Sequence, residues 1–186
     1  ADEARALEQL VWDLHLGVAP RPEVADVTEH VHPDVLGRIA ALAGPTERVV
    51  IGHDFYPVSV SVHGQRTEPL TIDERIAAYE REAAAWYVRY RRPFWVAETS
   101  NLGLDVADGP IWLEKLVAAL DRLRADGLPV HGLCWYSRGD QVDWDTMLTA
   151  PVGAVTEVGL FDDERRPRPV AEAYGRLAAQ RGDLTP

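Results

Sequence analysis

Glu98 stands in the stretch Pro93-Phe94-Trp95-Val96-Ala97-Glu98-Thr99-Ser100-Asn101-Leu102-Gly103. Phe94, Trp95 and Val96 form a short apolar run of the buried-strand kind, and the run stops abruptly at a carboxylate and a polar loop. In α/β proteins the C-terminal ends of strands carry acids, bases and nucleophiles, because the loops there enclose the substrate. A glutamate at such an end is also a common solvated residue or helix cap, so the rest of the chain must weigh the two readings. Two other stretches have the same form. Arg48-Val49-Val50-Ile51 leads into Gly52-His53-Asp54-Phe55-Tyr56-Pro57, and Pro129 to Tyr136 leads into the polar segment Ser137 to Asp145. Trp135 and Trp144 flank that acidic segment. Flat rings beside carboxylates suit a polyhydroxylated ring, whose C–H faces stack while its hydroxyls form hydrogen bonds. Core packing is the competing reading for any tryptophan, and Trp12, Trp86 and Trp112, which lie on helical stripes, are assigned to it.

Other chemistries fit less well. Asp140, Asp143 and Asp145 could offer oxygens to calcium, but Trp144 interrupts them and no glutamate stands at the closing position of an EF-hand loop. His53 and His131 lie near strand centres or ends and read as structural residues. No Ser-His-Asp constellation and no glycine-rich phosphate loop stands out.

The elements that must position these residues alternate. Leu7, Leu10, Val11 and Leu14 mark a first amphipathic helix that ends near Gly17. Residues 18–34, with three prolines, read as a long irregular connection. Val35, Ile39 and Leu42 suggest a short helix before Gly44-Pro45. A polar loop through Gly64 follows the strand beginning at Arg48, and Thr71 with Glu74 has the spacing of a capping box for a long helix running to Arg91-Arg92. Asp108 and Pro110 read as the cap and first turn of the next helix, with the stripe Ile111, Leu113, Leu116, Val117, Leu120 and Leu123 and a stop at Gly127. Val170, Tyr174 and Leu177 mark a last helix. Three strands joined by helical crossovers predict a parallel α/β sheet or barrel.

Composition narrows the function. The chain has 186 residues and a formal net charge of -11, with acids outnumbering bases 30 to 19. A phosphate backbone needs a basic patch, so nucleic acid is not an expected partner. No run approaches a membrane span, so no membrane is expected either. Cys134, the single cysteine, excludes an internal disulfide. The chain starts with Ala1-Asp2-Glu3 inside a helical pattern, which reads as an excerpt or a trimmed beginning.

Together these segments resemble the C-terminal part of glycoside hydrolase family 1, the retaining β-glucosidase-like enzymes of the (β/α)8 TIM barrel. The resemblance is carried by Ile51 to Tyr56, Val96-Ala97-Glu98, Trp135 to Trp144, Val158-Gly159-Leu160-Phe161-Asp162 and Arg166 to Tyr174. It implies an α/β chain holding the last three strands and their helices, one partial barrel domain over 1–186 from which the N-terminal strands are absent. Glu98 takes the place of the nucleophile and Tyr56 that of the tyrosine that orients it. Trp135 falls under the sugar, while Asp143 and Trp144 match the pair that reads its hydroxyls. Asp54 stands among the substrate-binding positions, where the family has asparagine. Ala97 replaces a threonine, Thr99-Ser100 replaces Asn-Gly, and the loop from Trp135 is one residue longer than the family motif. The implied activity is retaining hydrolysis of a β-glucoside or β-galactoside-type sugar by two carboxylates, with no metal and no cofactor. The acid/base of the resemblance lies on a strand not present here, so the expected partners are a small carbohydrate and the missing N-terminal barrel half, and the chain alone is expected to be inactive. A non-catalytic carbohydrate-binding or scaffold protein is the alternative. A cytoplasmic location is the default expectation.

Overall fold

The computed structural model describes residues 2–42, 49–60, 68–144 and 148–181. The expected turn at Gly44-Pro45, the strand start at Arg48, the loop at Gly64, and Asp145 lie outside the described residues. The chain divides into two units, Ala1–Val50 with Tyr87–Arg92, and Ile51–Trp86 with Pro93–Pro186.

In the first unit, helix α1 spans Asp2–Leu16 and closes at Gly17, whose φ of 66° gives the left-handed turn expected there. Its buried face is not the predicted stripe. Ala6, Gln9, Asp13 and Leu16 are buried, whereas Leu7 and Val11 are 46% and 58% exposed. The reason is an ion pair. Asp13 accepts hydrogen bonds from Arg89 Nε at 2.7 Å and Nη2 at 2.5 Å, and from the Tyr90 hydroxyl at 2.9 Å. A carboxylate so completely answered can be buried, and it carries its helix face inward with it. Gln9 follows the same logic, accepting from Arg21 Nε at 2.9 Å. The connection predicted to be irregular holds a 3-10 turn at Pro22–Val24 and helix α2 at Ala25–Glu29. Pro22 starts that turn, where a missing N–H costs nothing, and Val24 is buried. Helix α3, Pro33–Leu42, likewise begins at a proline.

The second unit is a parallel sheet in the order β1-β2-β3, with β1 at Ile51–Asp54, β2 at Phe94–Thr99 and β3 at Val130–Trp135. Helix α4, Ile72–Tyr90, links the first two strands, and α5, Gly109–Ala125, links the second pair. This is the strand–helix repeat of a (β/α)8 barrel, present as three strands and their helices with no closed barrel. Thr71 caps α4 as its spacing predicts, for its Oγ1 accepts the Glu74 N–H at 3.2 Å while Glu74 Oε2 accepts the Thr71 N–H at 2.8 Å. At α5 the expectation needs correcting. A 3-10 turn at Val106–Asp108 precedes the helix, and Asp108 occupies the cap position without a side-chain cap bond. Ile111 is 45% exposed, and Trp112 takes its place on the buried face with Leu113, Leu116 and Leu120. A two-stranded antiparallel hairpin follows β3, with β4 at Gln141–Val142 and β5 at Val155–Thr156, before the last helix α6 at Pro169–Arg181.

The sheet has two unlike faces. His53 on β1 and Phe55 just after it point towards α4, where Phe55 stacks on Tyr79 at 4.5 Å between centroids and His53 stands edge-on to Trp86. Gly52 lies on the other face, since a Cβ there would come within 2.9 Å of Ala97 Cβ and 3.3 Å of the Trp95 indole nitrogen. Trp95, on that second face, is 38% exposed. Among the described residues no helix is long and apolar enough to cross a membrane.

Candidate active site

Strand alternation decides which residues reach the second face, and an irregularity in β2 alters the count. Ile51 pairs with Phe94 and His53 with Val96, but Asp54 pairs with Glu98, so the register slips by one at Ala97. Strict alternation from Phe94 and Val96 would turn Glu98 towards the helices. The extra residue puts Ala97 and Glu98 on the same face and returns Thr99 to the helix side, where its Oγ1 accepts the Trp112 indole N–H at 2.9 Å. The bulge is what presents Glu98 on the face that carries Gly52 and Trp95. By the same alternation Asp54 and Tyr56 follow Gly52 onto it.

Three sequence-predicted residues therefore meet. The Tyr56 hydroxyl donates to Glu98 Oε2 at 2.7 Å, a charge-assisted hydrogen bond of ordinary length. Tyr56 is itself held firmly. Its N–H donates to Ser59 Oγ at 3.0 Å, the Ser59 N–H returns to its carbonyl at 2.9 Å, and Arg75 on α4 grips the Pro57 carbonyl. Glu98 is fixed at its backbone, its carbonyl accepting the Phe55 N–H at 2.9 Å. Asp54, across from Glu98 in the register, has an exposed side chain.

Electrostatics marks Asp54 and Tyr56. Desolvation by the atoms packed around it, then the charge of Glu98, raises the Asp54 carboxyl above its usual range although its side chain reaches solvent. Desolvation, the hydrogen bond to Glu98 and the charges of Glu98 and Asp54 hold the Tyr56 phenol protonated far beyond its ordinary range, with a further contribution from Tyr136. Among the described residues neither Glu98 nor Asp54 forms an ion pair with a lysine or arginine.

The other predicted residues sit around the β3 end. Trp135 is 5% exposed and donates its indole N–H to the Val158 carbonyl at 2.9 Å. Its neighbour Tyr136 donates its N–H to the Thr99 carbonyl at 2.7 Å and packs against Trp144 with ring centroids 5.5 Å apart. The peptide between Tyr136 and Ser137 is cis. Asp143 accepts the Ala154 N–H at 2.8 Å and returns its own N–H to the Ala154 carbonyl at 2.7 Å, which ties its carboxylate to the base of the hairpin. Asp140 is buried against Arg168 at 2.5 Å and accepts the Gly159 N–H at 2.9 Å. Asp140 and Asp143 thus have protein partners, and among the described residues no three of His, Cys, Asp and Glu gather as a metal site.

Sequence reasoning missed Asp140–Arg168 and Asn101, whose side-chain amide donates to the Glu157 carbonyl at 3.1 Å. The first joins the segment after β3 to the Arg166-Pro167-Arg168 stretch. Gly159 allows the same approach, since a Cβ there would lie 2.4 Å from the Gly139 backbone. The charge complement of Asp140 and Arg168 was the available signal.

No family model matches the sequence, and no curated protein matches it. Solved structures do match in fold. The family 1 β-glucosidase from Thermotoga maritima, in complex with isofagomine lactam, superposes with a TM-score of 0.64 at 12% identity, over 99% of this chain and 47% of that one. A β-glucosidase from Exiguobacterium marinum gives 0.64 at 11% identity, over 90% and 44%. The β-glycosidase BGL167 gives 0.52 at 19% identity, over 83% and 40%. The chain thus has a glycosidase-like fold and spans less than half the length of each of these proteins.

Proposed function

We propose that this chain carries the nucleophile of a retaining β-glycosidase of the family 1 kind, acting on a β-glucoside or β-galactoside-type sugar. The observation that carries the reading is the Tyr56 hydroxyl 2.7 Å from Glu98 Oε2 at adjacent strand ends, within a fold similar to that of β-glucosidases. A nucleophilic carboxylate needs its charge kept and its lone pairs aimed, and a phenol held protonated by its surroundings does both by donating to one oxygen. The free oxygen of Glu98 attacks the anomeric carbon and forms a glycosyl ester, while a second carboxylic acid protonates the departing oxygen. That second group then takes a proton from water as the water attacks the ester, and the configuration is retained.

The acid/base belongs to barrel strands beyond the three described, so the reading requires the rest of the barrel. Asp54 and Trp144 are proposed to contact the sugar, with Trp135 and Asp143 shaping the site from behind through their bonds to Val158 and Ala154. The chemistry needs only carboxylates and water, so no cofactor is invoked.

The test is made in a protein that contains this chain together with the remaining strands. Glu98→Ala abolishes turnover of an aryl β-glucoside, and azide or formate restores part of it by occupying the vacated space and attacking from the same face. A mutant that keeps its turnover, or one that no small anion rescues, overturns the reading.

A further inference from the structure

The slip in β2 that presents Glu98 is seen from both neighbouring strands. His53 and Asp54 are consecutive on β1 yet pair with Val96 and Glu98, and on β3 the steps from Leu133 to Trp135 answer the longer span from Val96 to Thr99. Such a bulge needs something to hold it. Sliding the extra residue out would restore strict alternation and turn Glu98 from the site face to the helix face. A ring of contacts closes around the slip. The Glu98 carbonyl accepts the Phe55 N–H at 2.9 Å, and the Phe55 ring centroid lies 5.3 Å from that of Trp112. The Trp112 indole N–H donates to Thr99 Oγ1 at 2.9 Å, and the Thr99 carbonyl accepts the Tyr136 N–H at 2.7 Å.

Within that ring the Thr99 hydroxyl is what reads the register. Trp112 and Thr99 are both 0% exposed, and Trp112 is fixed on the buried face of α5 with Leu113, Leu116 and Leu120. Its indole donor therefore has no solvent to turn to, and a buried donor left unpaired is costly. The bulged register brings it the Thr99 hydroxyl. The acceptor that regular alternation would offer instead is Glu98 itself, drawn off the site and into the layer of Phe55, Tyr79 and Trp112.

We propose that Thr99 is a positioning residue for Glu98: its hydroxyl, bonded to Trp112, locks the β2 bulge and so keeps the carboxylate on the site face, bonded to Tyr56. The proposal rests on the glycosidase reading for its purpose, but not for its geometry. Thr99 acts only through Glu98, so serine should serve in its place and valine, of nearly the same shape, should not.

The test uses a protein that contains this chain together with the remaining strands. Labelling by a 2-fluoro glycoside is followed as a function of its concentration, which separates the saturating rate constant from the binding constant. Thr99→Val should lower the rate constant about 100-fold, the scale of a misplacement of about 1 Å, with binding unchanged, and Thr99→Ser should restore it. Partial unfolding would lower the amount of label rather than the rate constant of the folded fraction. Trp112→Phe should slow labelling in the same way, and the double variant Thr99→Val with Trp112→Phe should be no slower than the slower single variant, because one bond is lost in each case. Rate constants that Thr99→Val leaves unchanged, or effects of the two substitutions that multiply, overturn the proposal.

A second readout needs no sugar. With carbon-13 at the tyrosine Cζ and Tyr56 assigned through Tyr56→Phe, Glu98→Gln displaces the Tyr56 resonance by removing the charged acceptor. Thr99→Val should displace it in the same direction and Thr99→Ser should not, whereas a Tyr56 resonance indifferent to Thr99→Val overturns the lock. A resonance that responds in a protein never labelled at Glu98 sustains the lock while rejecting the glycosidase reading, so the two failures are distinguishable.

Discussion

Asp13 and Glu98 are both carboxylates drawn out of bulk water, and the protein answers them in opposite ways. Asp13, fully buried on α1, receives both forks of Arg89 and the Tyr90 hydroxyl. Nothing on it is left to react, and its charge serves to choose which face of a helix goes inside. Glu98, among the described residues, receives one side-chain hydrogen bond, from the Tyr56 phenol, and pairs in register with a carboxylate, Asp54, rather than with a cation. A charge saturated with partners holds structure, whereas a charge aimed by one partner is available for chemistry. The same residue class thus serves as framework in one unit and is proposed as reagent in the other.

The sharpest way to break the comparison is to make the same substitution at both. Glu98→Ala should lower turnover of the complete barrel protein by several orders of magnitude, roughly 10⁶-fold where a serine nucleophile is removed, while its urea midpoint shifts little, because the lost Tyr56 bond is offset by relief of the Asp54 repulsion. Asp13→Ala should do the reverse. It removes the carboxylate that accepts from Arg89 and Tyr90, leaving the backbone carbonyls of Ala19 and Gln9 to accept from them, and should cost about 3–5 kcal/mol in urea unfolding, with the chemical step unaffected in whatever protein remains folded. If Asp13→Ala is nearly neutral, the ion pair does not set the burial of α1 and the contrast collapses.

A third buried ionisable group extends the contrast to one that folds uncharged. His53 is packed between Phe94, Tyr79 and Trp86, its Nδ1 is 3.2 Å from the Tyr79 hydroxyl, and its Nε2 is buried with no hydrogen-bond partner among the described residues. Burial lowers it from 6.5 to about 4. The unfolded chain therefore binds a proton that the folded one refuses. Stability contributed by the neutral ring is complete above pH 6.5 and is lost as pH falls towards about 4, up to roughly 3 kcal/mol. Urea midpoints measured across that window should decline in the parent and decline less in His53→Phe, whereas parallel curves would refute the assignment. A smaller effect is expected at Tyr56→Phe, which keeps the ring and removes one charge-assisted hydrogen bond. At about 1.5–3 kcal/mol in the transition state, kcat/KM should drop roughly 10- to 150-fold with little change in the urea midpoint.

How much of this was legible in the sequence depends on how local each cause is. The three strands, the Thr71–Glu74 cap and the stop at Gly17 follow from neighbouring residues, and all are found in the structure. The inward face of α1 was misread because its cause lies in Arg89, 76 residues from Asp13. Periodicity of apolar residues carries no sign of a buried ion pair. Exposed Ile111 shows the same limit at smaller scale, whereas Trp112, assigned to packing from its helical spacing, is buried with its indole N–H bonded to Thr99. At the site, Glu98 and Tyr56 could be named from strand ends and from the resemblance. The slip at Ala97 that presents Glu98 on the correct face has no signature in Phe94-Trp95-Val96-Ala97-Glu98, where strict alternation points the other way. Asp140 was visible only as one member of an acidic run, and its pairing with Arg168 makes it part of the framework, like Asp13.

The account stands or falls on which carboxylate reacts. The complete barrel protein is incubated with a 2-fluoro aryl glycoside, whose fluorine slows release of the glycosyl ester, then digested, and the modified peptide is mapped. The label should fall on Glu98, within the segment from Pro93 to Gly103, and Tyr56→Phe should slow its formation without relocating it. A label on Asp54, Asp140 or Asp143 would contradict the assignment and make Glu98 a structural carboxylate after all.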